Sequence, residues 1–144
     1  MSRTVAYIKA PPDQVFTVLA NPYSYEYWVV GCKRVRDVEV EWPQPGSAFF
    51  HTIGVGPVAS NDETRIVRIE APNLIELDAH GWPAGEARVT LKITGNGTSS
   101  RVEMIEEPIS GPAKWLHNRV LDAAAHARNT VALRRLARVA EGRL

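Results

Sequence analysis

The chain has 144 residues, with 17 basic and 16 acidic side chains, a formal net charge of +1, and 44% apolar against 23% charged residues. So even a balance speaks against the clustered basic excess of a nucleic-acid partner, and no run approaches the roughly 18 consecutive apolar residues of a membrane span. The single cysteine, Cys32, cannot close an intramolecular disulfide, and residues 1–10 lack a signal-peptide core, so one cytoplasmic domain over 1–144 is expected.

Arg3 to Lys9 is rich in β-branched and aromatic residues and predicts an opening strand, stopped at Pro11-Pro12. The two prolines and Asp13 suit a helix start, with Val15, Phe16, Val18 and Leu19 as its apolar side and Asn21-Pro22 as its end. Pro22 to Val30 reads as a second short helix or turn, dense in Tyr23, Tyr25, Tyr27 and Trp28. From Arg34 the pattern turns to period two: Val38, Val40 and Trp42 alternate with acids up to the turn at Pro43 to Gly46. Return strands are predicted over Ser47–Ile53, Val58–Glu70 and Leu74–Ala79. Ala87, Val89, Leu91 and Ile93 then face one way and Arg88, Thr90 and Lys92 the other, before Gly95-Asn96-Gly97 turns into Ser100–Glu107. One apolar and one charged face describe an antiparallel sheet covered on a single side.

The cover is expected to be one helix of roughly 30 residues beginning near Pro112. On a helical wheel Trp115, Asp122, His126, Leu133, Leu136 and Ala140 share a side, with Arg119 and Asn129 close by; Leu116, Val120, Ala127 and Val131 form a second stripe. Either stripe could pack on the sheet. Arg134, Arg135 and Arg138 read as a solvated outer face rather than a phosphate site.

Four segments resemble the START-like (SRPBCC, Bet v 1-like) superfamily, and within it the bacterial polyketide cyclase/dehydrase group. They are Tyr7 to Phe16, Val67 to Pro72, Val89 to Ile93 with the following Gly-Asn-Gly turn, and Arg128 to Leu136. The resemblance implies an α+β helix-grip fold: a curved antiparallel sheet of about seven strands around a long C-terminal helix, with two short helices after the first strand. It also implies an internal cavity whose mouth is formed by 54–57, 80–85 and 108–112, with Trp82 and Trp115 at the entrance and Trp28 in a wall. Each of these rings would equally serve as an ordinary core or loop anchor.

Strand phase selects further candidates. Glu106 shares parity with Val102 and Met104, Arg65 with Val67 and Ile69, and His51 with Phe49 and Ile53, so all three are expected to face inward. Phe49, Val89, Leu91 and Met104 would then line the ligand space, with Arg119 and Ala127 from the helix. A charged group facing a dry cavity needs a partner, water or a ligand. Arg119, Asp122 and His126 are spaced three and four apart, which brings their side chains together. Facing inward, His126 would be a general base oriented by Asp122; facing outward, the three form a surface row.

The four histidines, His51, His80, His117 and His126, lack tight metal-ligand spacing, and no nucleophile elbow, P-loop or Rossmann fingerprint occurs. No cofactor or metal is expected. The first functional reading is binding of a small hydrophobic or aromatic molecule, such as a polyketide, lipid or quinone, without stable membrane insertion. The alternative is a polyketide cyclase/dehydrase in which His126 or Glu106 removes a proton beside a carbonyl and Arg65 anchors the substrate. A protein-interaction module is the third.

Overall fold

The computed structural model describes residues 1–81, 85–115 and 119–143. Strand β1 (Ser2–Ile8) leads into helix α1 (Pro12–Ala20), a 3-10 turn (Pro22–Ser24) and helix α2 (Tyr25–Trp28). Proline at the first position of α1 is preset for a helix and gives up an N–H that would have no partner there. The Asn21 side chain opens the next turn by accepting from the Tyr23 N–H at 3.1 Å.

Six strands follow: β2 (Cys32–Val38), β3 (Ala48–Val55), β4 (Val58–Glu70), β5 (Leu74–Gly81), β6 (Gly85–Gly95) and β7 (Ser100–Ser110). All pair antiparallel in one seven-stranded sheet of order β1-β7-β6-β5-β4-β3-β2. The strand expected through Trp42 ends at Val38: Val40 is exposed, and the Trp42 indole N–H donates to the Ala20 carbonyl at 2.8 Å from within the turn.

Alternation is cleanest in β6, where Val89, Leu91 and Ile93 are buried while Lys92 is exposed. On the other face Arg88 grips Asp78 of β5 through two bonds of 2.8 and 2.9 Å, a bidentate pair that ties the strands in register.

The terminal helix is described as α3 (Pro112–Trp115) and α4 (Arg119–Ala140), with 116–118 outside the described residues. The C-terminal half of the first stripe packs. Asn129, Ala132, Leu133, Leu136 and Ala140 are buried at helical spacing, whereas Val120, Ala127 and Val131 of the second stripe are exposed. Leu133 and Leu136 join Ile8, Val15, Leu19 and Ile93 in one core. Each such side chain contributes about 1.5–3 kcal/mol by leaving water. This is the helix-grip architecture, one helix held against the inner face of a curved sheet.

Candidate functional site

Sheet and helix do not meet everywhere. Between α2, the inner face of β3 to β7 and the middle of α4 lies a mostly apolar cavity of about 240 Å³.

One wall is a run of rings. Tyr25 and Trp28, three apart on α2, stand 4.7 Å from each other; Tyr25 meets Phe49 edge-on at 4.9 Å; and Phe49 lies 5.4 Å from the His51 ring. Phe49 and His51 share the inner face of β3 because side chains two apart on a strand point the same way. Two polar tips in this wall are already engaged. The Tyr25 hydroxyl donates to the Leu19 carbonyl at 2.8 Å, and the Trp28 indole N–H to Ser24 Oγ at 3.3 Å. Burial holds the Tyr25 hydroxyl far above its ordinary pKa, so it stays protonated.

His51 is different. Its ring is 4% exposed, and Nε2 sits 2.8 Å from Thr64 Oγ1 on β4, a diagonal cross-strand neighbour. Nδ1 is buried with no hydrogen-bond partner among the described residues. Burial pushes the imidazole pKa down, against opposing pulls from Asp62 and the Glu63 backbone. The ring is therefore neutral at neutral pH.

The polar pole across the cavity belongs to β7 and α4. Arg128 Nη2 donates to Glu106 Oε2, and Asn129 Nδ2 stands 3.5 Å from Glu106 Oε1. Arg128 Nε reaches Asn129 Oδ1 at 3.4 Å. Asn129 is 2% exposed, so its amide is buried on two long, weak bonds. At the rim, the Cys32 thiol is pushed up to about 11, chiefly by burial and then by Glu26. His80 Nε2 lies 3.6 Å from Glu86. Gly85 must be glycine: its φ is +104°, and a Cβ would fall 2.3 Å from the Ser110 carbonyl oxygen.

Of the candidates chosen from the sequence, Trp28, Phe49, His51, Val89, Met104 and Glu106 border this cavity. Leu91 is fully buried in the core and does not border it. Arg65 points outward, contrary to the phase expected, and reaches Glu63 at 2.5 Å and Glu39 at 3.7 Å. The reason is a bulge: Ile66 and Arg68 pair with adjacent residues, Leu77 and Glu76, so Val67 is an extra residue and parity inverts across it. Thr64 and Ile66 are the residues buried on that stretch.

Asp122 and His126 also lie away from the cavity. The N-terminal ammonium is 3.2 Å from Asp122, and His126 Nδ1 is 3.1 Å from both Thr4 Oγ1 and the Arg3 carbonyl. They share the helix side of Leu133, but this end of α4 runs along edge strand β1 instead of over the sheet interior. Arg119 and Ala127 are exposed, and Trp115 is 83% exposed. Trp82 lies outside the described residues.

Sequence reasoning did not propose Cys32, Thr64, Arg128, Asn129 or Ala132 as site residues, yet all border the cavity. Asn129 carried a usable signal. It stands four before Leu133 and seven before Leu136, a polar residue on the buried stripe. Among the described residues no group of three or more His, Cys, Asp or Glu side chains converges as metal ligands would, and no helix is long and apolar enough to cross a membrane.

Residues 2–141 match the family described as polyketide cyclase / dehydrase and lipid transport. The chain belongs to that family. No curated protein matches its sequence. Among solved structures it is similar to the Zhui aromatase/cyclase of a Streptomyces species, at 14% identity and a TM-score of 0.72, over 98% of this chain and 93% of that one. It is likewise similar to an Arthrobacter aurescens protein solved by solution NMR, at 19% identity and a TM-score of 0.72, over 96% and 84% of the two chains. A third similar structure is DynU16, a putative protein in the dynemicin biosynthetic locus, at 17% identity and a TM-score of 0.67; the match covers 97% of this chain and 46% of that one. At such identities the structural likenesses show the shared fold.

Proposed function

We propose that this family member holds a small hydrophobic, ring-bearing molecule in the cavity between sheet and α4, as a carrier or sensor rather than a catalyst. The observation that carries this reading is the cavity itself: about 240 Å³, walled by Tyr25, Trp28 and Phe49 on one side and by aliphatic side chains of β5 to β7 on the other. Such a space binds by excluding water from an apolar ligand and needs no base. The four residues considered for catalysis favour the same side. Arg65, Asp122 and His126 are outside the cavity, and Glu106 is committed to Arg128.

A thermal-shift and tryptophan-fluorescence panel of aromatic polyketides, quinones, fatty acids and sterols tests the reading, with Trp28 as the cavity's reporter. A ligand at a hundredfold its Kd adds about 2.7 kcal/mol, which raises the Tm of a domain this size by about 8 °C. No shift from any member, together with unchanged Trp28 emission, would refute an accessible cavity.

One observation supports the cyclase/dehydrase alternative. His51 lines the cavity and burial keeps its imidazole neutral, the form in which a histidine can act as general base beside a carbonyl. Under that reading a poly-carbonyl ligand is converted to a cyclised or dehydrated product, and His51→Gln abolishes turnover while binding persists. Mass spectrometry of the bound and released ligand decides between the two.

A further inference from the structure

The outward face of α4 is neither core nor an ordinary solvated surface. Opposite the packed stripe, Val120, Ala123, Ala127, Val131, Arg134 and Arg138 follow one another at steps of three and four residues, so they form one line along the helix, and all are exposed. The line is aliphatic from Val120 to Val131 and cationic at its C-terminal end. Arg119 and Arg135 are exposed beside it. Lys114 and Trp115 lie just ahead on α3, the indole 83% exposed and the ammonium 6.0 Å from its ring.

Solvated helix faces mix both signs of charge, which pair along the helix. This one does not. Asp122 is the single acid of α4, and it sits 3.2 Å from the N-terminal ammonium, on the side of β1. Among the described residues Arg119, Arg134, Arg135 and Arg138 form no ion pair, whereas Arg128 is taken up by Glu106. Residues 112–140 carry six Lys or Arg against one Asp, in a chain whose formal net charge is only +1. The charge of the molecule is therefore divided, with the positive excess on the terminal helix and a negative excess on the rest.

An anionic partner follows from the charge, and the aliphatic line decides its kind. A nucleic-acid backbone would meet alanine and valine along most of this face, where it needs donors to phosphate. An acidic helix would need ridges and grooves to fix its register, and side chains this short offer little of either. The interface of an anionic bilayer takes both parts at once: guanidinium groups at the headgroup phosphates, with aliphatic groups and an indole just beneath.

We propose that α4 lays its outer face on an anionic lipid surface, held by Arg119, Arg134, Arg135 and Arg138 and seated by Val120, Ala127 and Val131, with Trp115 beside them. The attachment is peripheral, since no described helix is long and apolar enough to cross a membrane. It uses the outside of the molecule and is independent of what the cavity holds.

The test is co-flotation of the full chain with vesicles of phosphatidylcholine alone and of equal parts phosphatidylcholine and phosphatidylglycerol, at low and high salt. Each cation near an anionic surface changes partitioning about fivefold. The expected result is binding to the mixed vesicles that is about a hundredfold or more stronger than to phosphatidylcholine and that is lost as salt rises. The variant Arg134→Gln/Arg135→Gln/Arg138→Gln should bind about a hundredfold more weakly, while Arg134→Lys/Arg135→Lys/Arg138→Lys keeps most of the binding. Val120→Ser/Val131→Ser should weaken it about tenfold. Circular dichroism melts of these variants should coincide with the parent's, since every changed side chain is exposed.

Absence of flotation with the mixed vesicles overturns the proposal. If the protein is instead captured by poly-glutamate through the same arginines, the partner is an acidic protein and the lipid surface is ruled out. Flotation that the glutamine variant retains overturns the assignment to this face. An undiminished serine variant overturns the part given to the aliphatic line.

Discussion

Asn129 of α4 and Glu106 of β7 meet at the cavity's polar pole, Nδ2 3.5 Å from Oε1, and Arg128 closes the group by donating to the same carboxylate. The helix is thus tied to the sheet by a polar contact beside an apolar space. Glu106 is mostly buried and Arg128 is half exposed, so solvent screens only part of the pair. Glu106→Ala is expected to cost about 1–2 kcal/mol by stranding the Asn129 amide. A double-mutant cycle with Arg128→Ala should give a coupling of about 1 kcal/mol in urea unfolding. Zero coupling would show that the pair is not formed in solution.

The packing phase of α4 is tested by two truncations. Leu136 is fully buried, and Leu136→Ala should cost about 3 kcal/mol through lost burial and a residual cavity. Val120 is 76% exposed, so Val120→Ala should stay within about 0.5 kcal/mol. Similar losses at both positions would contradict the observed rotation of the helix.

Filling the cavity should separate binding from stability. Ala87 lines it from β6 and Ala132 from α4. Ala87→Leu is expected to lower ligand affinity at least tenfold and to change stability by less than about 1.5 kcal/mol, because the added methyl groups enter open space. Ala132→Leu, at a tighter site, should lose affinity likewise with a larger stability cost. Unchanged affinity in a folded Ala87→Leu variant would place the ligand outside this cavity.

His51 sets a pH dependence. Its native pKa is depressed by burial, so as pH falls below about 6.5 the unfolded chain takes up a proton that the native ring refuses. Stability contributed at neutral pH is lost on acidification, at up to about 1.4 kcal/mol per pH unit until the native pKa is reached. His51→Gln should flatten that part of the curve between pH 6.5 and the native pKa. Parallel stability curves for the two proteins in this range would mean that the ring protonates freely in the native state.

At the far end of α4, His126→Ala should cost at most about 1 kcal/mol, the value of one part-exposed hydrogen bond to Thr4 or Arg3. Ligand affinity should not change. A loss of affinity on calorimetric titration would draw His126 into the site.

The strands were legible because most of the sheet obeys a strict alternation, and β6 shows why: Val89, Leu91 and Ile93 all go in, and only one face of the sheet is covered. Parity failed at Arg65 because Val67 is a bulge residue, and an extra residue leaves the composition unchanged while reversing every side chain before it. The helix presented two stripes of similar strength, and local sequence carries no information on which one meets the sheet. Nor does it show that the polar residues ahead of Leu133 would lie along β1 while Asn129 reached the cavity. His51 was legible as inward-facing from its place between Phe49 and Ile53. Its hydrogen bond to Thr64 was not, because that partner lies thirteen residues away on another strand.

The position of β1 has a consequence for how the chain is made. It pairs with β7 along its whole length, Ser2 against Glu106 and Ile8 against Ser100, and among the described residues it has no other strand neighbour. With synthesis running from N- to C-terminus, β1 therefore lacks its strand partner until β7 has been made. Until then it is an unpaired, partly apolar strand, open to association with other nascent chains. Because that pairing spans about a hundred residues, it is a slow contact to close. Chaperone dependence during synthesis should accordingly fall on β1, which is made long before the strand and the helix that secure it.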